Sequence, residues 1–138
     1  MNDRDRELLA AAREVMARSY SPYSRFRVGA ALLDVDGVIH TGTNVENASF
    51  GLSICAERSA IFKAVADGAR EFSCLAIVTD TDEPTPPCGA CRQVIYEFAP
   101  DLPLLLAGRG GAFKRITIKE LMPLPFASFT VDTGESDS

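Results

Sequence analysis

A mixed five-stranded sheet flanked by helices, an α/β fold, is what this chain predicts, on three patterns. Apolar residues at helical spacing alternate with short strand-like runs, in the order α-β-β-α-β-α-β-β-α. Two of those runs, Cys74 to Thr79 and Leu102 to Ala107, are apolar with no alternation, the mark of strands covered on both faces. An Asp36-Gly37 pair between two further runs marks a hairpin. The sheet is then antiparallel at the hairpin and parallel where a helix joins two strands.

The elements follow in order. Asp3 to Ser19 reads as a packing helix: Leu8, Leu9, Ala12, Val15 and Met16 recur on one side, and Asp3 and Asp5 stand near its positive end. Ser19 to Arg27 is a loop with Ser21-Pro22-Tyr23-Ser24 turn chemistry, and the aromatic Phe26 stands in it next to arginines. Val28 to Leu33 and Val38 to Val45 are the hairpin strands; His40, the single histidine, is expected at the surface or half-buried rather than as a ligand. Asn44 to Leu52 is a polar loop whose Asn44, Glu46, Asn47 and Phe50 suit hydroxyl recognition, or simply reflect the loop preference of Asn. Ser53 caps a helix that Gly68 ends after Asp67. After Cys74–Thr79 comes a proline-rich loop to Pro87, a helix from Cys88 to Ala99, the strand Leu102–Ala107, a strand Phe113–Ile118 and a short helix Lys119–Met122. Residues 1–131 are expected to form one domain, with an acidic, disordered tail over 132–138.

Composition narrows the partners. The 138 residues carry a net charge of −5 with Lys and Arg scattered, which speaks against a nucleic-acid partner without forbidding a local basic patch. No apolar run reaches the roughly 20 residues of a membrane span, and the charged start Met1-Asn2-Asp3-Arg4 lacks a signal-peptide core. A cytoplasmic protein is expected, whose four cysteines serve a metal or catalysis more readily than disulfides.

Those cysteines are where the chemistry concentrates. Cys88 and Cys91 lie one helical turn apart behind Pro86-Pro87. Cys55 and Glu57 lie at i and i+2, about 200° apart on a regular helix, which would separate them. At a helix start the separation closes, because first-turn side chains tilt toward the N-terminus and a metal off the helix end is within reach of both. Unpaired first-turn N–H groups also favour thiolate there. Three thiolates with one open position make a catalytic zinc site. Glu57 is the candidate proton carrier, the alternative being a solvated first-turn carboxylate. Arg58, three residues after Cys55, is placed to donate to thiolate sulfur, the alternative being a surface salt bridge. Cys74 reads as core.

Cys55-Ala56-Glu57 with Pro87-Cys88-Gly89-Ala90-Cys91 resembles the zinc deaminase signature. Ser21 to Leu32, Gly42 to Gly51, Cys55 to Ala60 and Cys88 to Ile95 resemble, in order and spacing, the small homotetrameric cytidine deaminases. The resemblance implies a three-layer α/β/α fold and hydrolytic deamination of cytidine and 2′-deoxycytidine to uridine and 2′-deoxyuridine, a step of pyrimidine salvage. It implies one zinc per subunit on Cys55, Cys88 and Cys91, and Glu57 as the catalytic proton carrier. It implies Asn44 and Glu46 on the ribose 3′-hydroxyl, Phe26 on the pyrimidine and the Ala56 backbone on the base carbonyl. Phe50, where the family commonly has Tyr, and Phe126 match positions that enter a neighbouring subunit's pocket.

Three other readings compete. Cys88-Gly89-Ala90-Cys91 at a helix start also resembles a dithiol oxidoreductase, which leaves Cys55-Ala56-Glu57 without a purpose. A structural zinc module would take its fourth ligand from Cys74 or His40. A deaminase for another substrate is the third; a nucleotide substrate would call for a basic cluster that the sequence lacks.

Overall fold

The computed structural model describes residues 1–126, and its sheet runs β2-β1-β3-β4-β5. The strands are β1 (Val28–Asp34), β2 (Ile39–Thr43), β3 (Phe72–Thr79), β4 (Pro103–Ala107) and β5 (Phe113–Thr117). The helices are α1 (Asp3–Met16), α2 (Ala56–Ala66), α3 (Gly89–Phe98) and α4 (Ile118–Leu121). β1 pairs antiparallel with both β2 and β3, β3 pairs parallel with β4, and β5 returns antiparallel. The tail expected over 132–138 lies outside the described residues.

Alternation of side chains along the central strands makes two cores and hence three layers. Ala31, Leu33, Ala76, Val78 and Leu105 meet Leu8, Leu9 and Ala12 of α1 on one face. Ala30, Leu32, Leu75, Ile77 and Leu104 meet Ala60, Ile61 and Ala64 of α2, Ile95 of α3 and Ile118 of α4 on the other. Cys74 belongs to the α1 side. The apolar runs in β3 and β4 lacked alternation because both faces are covered. Among the described residues, no helix is long and apolar enough to cross a membrane.

Several boundaries differ from expectation. α1 stops at Met16; Arg18 and Ser19 follow in tightened turns onto the Val15 and Met16 carbonyls, and the Ser19 hydroxyl turns to Asn44. β2 begins only at Ile39 because Asp34 Oδ1 accepts the N–H groups of Asp36 and Val38 and holds the turn. Phe50–Leu52 forms one 3₁₀ turn within the polar loop. Ser53 is not the cap of α2: its hydroxyl accepts the Asn47 N–H at 3.0 Å, and the helix starts three residues later with Cys55 in the cap position. His40 is buried, not at the surface or half-buried, because its Nε2 lies 2.9 Å from Asp34 Oδ2. That bond is the main reason the Asp34 carboxyl sits below the usual carboxylate range.

Strand register decides where the loops go. The start of β1 lies beside the ends of both neighbours: Gly29 pairs with Thr43 and Val28 with Thr79. The loop entering β1 and the loops leaving β2 and β3 therefore emerge along one sheet edge. α2 is drawn tightly onto β2 at that edge, since a Cβ on Gly42 would sit 2.4 Å from the Ala60 backbone nitrogen. Gly42→Ala is expected to push the helix off the strand and cost about 1–3 kcal/mol, read as a fall in Tm by thermal unfolding.

Candidate active site

The four α-helices among the described residues begin in two different ways. α1 and α4 carry capping boxes, Asn2 with Asp5 and Thr117 with Glu120, which occupy first-turn N–H groups. α2 and α3 have cysteine in the cap position, Cys55 and Cys88, with extended backbone and no side-chain cap bond. Their positive ends are thereby left to the sulfurs. Being a cap residue also frees Cys55 from helical spacing, so it and Glu57 reach the same side.

The two helix starts bring three thiols together. Cys55 Sγ lies 3.9 Å from Cys88 Sγ, Cys88 Sγ lies 3.4 Å from Cys91 Sγ, and all three fall within 4.8 Å of one another. Tetrahedral zinc with bonds of about 2.3 Å would space its sulfurs by roughly 3.8 Å, so this donor set fits the ion. Charge points the same way. Two thiolates about 4 Å apart repel by about 4 kcal/mol at an effective dielectric constant near 20. Three of them are tolerable together only around a cation. Left to the protein alone, the cluster ionises unevenly. Hydrogen bonding with the Cys91 thiol, helped by Arg58 and opposed by burial, lowers Cys55 to about 5. The same bond, with burial and the Glu57 charge, pushes Cys91 upward.

Arg58 Nη2 donates to Cys55 Sγ at 3.4 Å. Glu57, the second residue of α2, is only 5% exposed, and burial raises its carboxyl above the ordinary range. A carboxyl shifted upward is better matched to proton transfer near neutral pH. Cys74 is buried on the opposite face of the sheet, its thiol raised to about 11 chiefly by burial. Neither it nor His40, which is engaged by Asp34, joins the cluster. The dithiol reading likewise leaves the third converging sulfur unexplained.

A cavity of about 460 Å³ opens over the thiols. Phe26, Asn44, Glu46, Phe50, Ala56, Glu57 and Arg58 line it together with Cys55 and Cys88. The Asn44 amide is oriented by three bonds: Oδ1 accepts from Ser19 Oγ at 2.5 Å and the Val28 N–H at 2.9 Å, and Nδ2 donates to the Phe26 carbonyl at 2.7 Å. Glu46 Oε1 accepts the N–H groups of Tyr23 and Ser24, and Oε2 accepts the Ser24 hydroxyl. Phe50 projects from its 3₁₀ turn against Tyr23, ring centroids 6.2 Å apart, and remains 76% exposed. Phe126 lies apart from this cavity; its carbonyl accepts from Gln93 Nε2 at 2.7 Å and it is 67% exposed.

Sequence reasoning missed Ser19, Tyr23 and Ser24, which hold Asn44 and Glu46, and Thr79 and Thr85 in the cavity wall. The hydroxyl-rich turn at Ser21–Ser24 was a signal, but its target lies 22 residues further along the chain.

Known proteins resemble most of the chain. The family model described as "Cytidine and deoxycytidylate deaminase zinc-binding region" matches residues 2–103. A cytidine deaminase of Halalkalibacterium halodurans is 48% identical over 126 residues, 90% of this chain and 96% of that protein. One from Sporosarcina psychrophila is 47% identical over 122 residues, 88% of this chain and 90% of the other. The crystal structure of cytidine deaminase from Burkholderia pseudomallei superposes with a TM-score of 0.86 at 44% identity, covering 91% of this chain and all of that one.

Alanine at Cys55, Cys88 or Cys91 is expected to abolish stoichiometric zinc, whereas Cys74→Ala retains one ion per chain. Metal analysis of the purified variants measures both.

Proposed function

Because the chain belongs to the zinc-binding cytidine deaminase family, we propose that it hydrolyses the exocyclic C–N bond of cytidine and 2′-deoxycytidine. Water is consumed, ammonia leaves, and uridine or 2′-deoxyuridine remains, as pyrimidine salvage requires. The observation that carries this reading is the convergence of three thiols, two of them in the cavity wall beside the buried Glu57.

Cys55, Cys88 and Cys91 would hold the zinc, one ion per subunit. When bound, zinc supplies the Lewis acidity that makes water a nucleophile at neutral pH. Glu57 takes a proton from the attacking water and delivers it to ring nitrogen 3, which makes ring carbon 4 electrophilic. Oxygen bonds to that carbon, and Glu57 carries the second proton to the amino group, which departs as ammonia. Burial raises the Glu57 carboxyl above the ordinary range, in the direction that suits a group exchanging protons at neutral pH. Arg58 offsets part of the negative charge of a three-thiolate centre by donating to Cys55.

The cavity wall has the matching substrate groups. Phe26 packs on the pyrimidine, and the Ala56 backbone, at the first position of α2, meets the base carbonyl. Asn44 and Glu46 hold the ribose 3′-hydroxyl. Glu46 keeps acceptor capacity because its carboxyl lies below the usual range, mainly through the Ser24 hydroxyl.

Phe50 and Phe126 then complete pockets of neighbouring subunits in a homotetramer, which their exposure supports. The groups proposed for the catalytic domain expected over 1–131 all fall within the described residues 1–126. A net charge of −5 favours a free nucleoside over nucleic acid, and four free thiols suit the reducing cytoplasm.

Loss of cytidine absorbance, followed with and without a chelator, tests the activity; turnover of cytidine and deoxycytidine that stops on zinc removal is expected, with cytosine and deoxycytidylate as controls. Turnover unaffected by complete zinc removal would sink the mechanism. Glu57→Ala should keep its zinc while kcat falls by about a hundredfold to ten-thousandfold; steady-state kinetics beside metal analysis reads both quantities.

A further inference from the structure

Two groups assigned to the nucleoside sit on loops at the open end of the β1–β2 hairpin, outside the paired strands. Phe26 is on the loop before β1 and Glu46 on the loop after β2. The side chain of Ser24 connects them. Its hydroxyl donates to Glu46 Oε2 and accepts the Phe26 backbone N–H at 3.0 Å. Its own N–H donates to Glu46 Oε1 at 3.1 Å. A serine hydroxyl has one proton and two lone pairs, so the donor and one acceptor are both committed here.

Phe26 is held from its other side as well, because its carbonyl accepts from Asn44 Nδ2 at 2.7 Å. Between Ser24 and Phe26, Arg25 adopts φ 58°, a left-handed conformation uncommon for residues other than glycine. Such a backbone persists where surrounding bonds over-determine it. The Ser24 bonds to Phe26 and Glu46 are among those ties. Among the described residues, the Ser24 hydroxyl is also the hydrogen-bond partner of Glu46 Oε2, while the Tyr23 and Ser24 N–H groups both fall on Oε1. Without the hydroxyl, Oε2 loses that partner and the carboxylate is free to turn. The bonds of the Ser24 side chain go to neither Glu57 nor the thiols.

We propose that Ser24 is a positioning residue for the nucleoside, aligning the Glu46 carboxylate for the sugar and the Phe26 ring for the base as one unit. The inference rests on the reading of Glu46 as a sugar-binding group. It acts on binding, so its signature is in KM and not in the chemical step.

The test uses the zinc-loaded enzyme and cytidine. Ser24→Ala raises KM about tenfold, as loss of a hydrogen bond to a charged group does, while kcat stays within about twofold. Ser24→Thr, which keeps the hydroxyl, restores KM. Ser24→Val, of the same shape without it, does not, and this pair carries the comparison if the alanine variant folds poorly. Combining Ser24→Ala with Glu46→Gln costs little more than Glu46→Gln alone, since both act through one carboxylate. Effects that multiply in the double variant overturn the role of Ser24. So does an unchanged KM in Ser24→Ala, or in Ser24→Val where that pair is used, beside a raised KM in Glu46→Gln. An unchanged KM in Glu46→Gln overturns the sugar-binding reading, and the inference with it.

Discussion

Everything at this site depends on the register that lines up three strand ends. β1 is antiparallel to both its neighbours, so its start lies beside the ends of β2 and β3. Three loops are thereby delivered to one edge of the sheet. The loop before β1 brings Phe26, the loop after β2 leads to Cys55 and Glu57, and the loop after β3 leads to Cys88 and Cys91. α2 and α3 pack on the same face of the sheet, so their positive ends arrive at one point. A slip of one residue between β1 and β3 would reverse the faces of an entire strand and separate the halves of the site.

The electrostatics follow from that meeting. Thiolates are costly to bury and repel one another. Here their surroundings are two helix N-termini without side-chain caps and one guanidinium. Those groups lower the cost of the first negative charge, and zinc, held between the sulfurs, would neutralise the remainder. Glu57 experiences the same environment in the opposite sense. Burial favours its neutral form. Neighbouring residues at one helix start thus shift in opposite directions, because Cys55 faces the Cys91 thiol and the Arg58 guanidinium while Glu57 is desolvated by burial.

Much of this was legible from residue types. Continuous apolar runs identified β3 and β4 as central strands, and spacing brought Cys88 and Cys91 to one helix face. The helix-start argument linked these residues to Cys55 and Glu57 as a zinc site, the resemblance pointed to the cytidine deaminases, and the family comparisons bear out that assignment. Ser53 misled, because serine is an excellent cap in isolation but here its hydroxyl is used by Asn47. His40 misled too: a lone histidine on a hairpin reads as a surface or half-buried residue until Asp34, at the far end of the turn, is seen 2.9 Å from its Nε2.

Local pattern determined what each segment is: its helix or strand character, its buried side and the chemistry of its side chains. These are matters of spacing within a few residues, and they are written in the chain. Tertiary structure alone decided which hydroxyl serves which carboxylate, that Cys74 falls on the far face from the other thiols, and that Ser19 and Ser24 steady Asn44 and Glu46. Those outcomes depend on strand register and helix docking, which bring together residues more than 20 positions apart. No local periodicity encodes such distances.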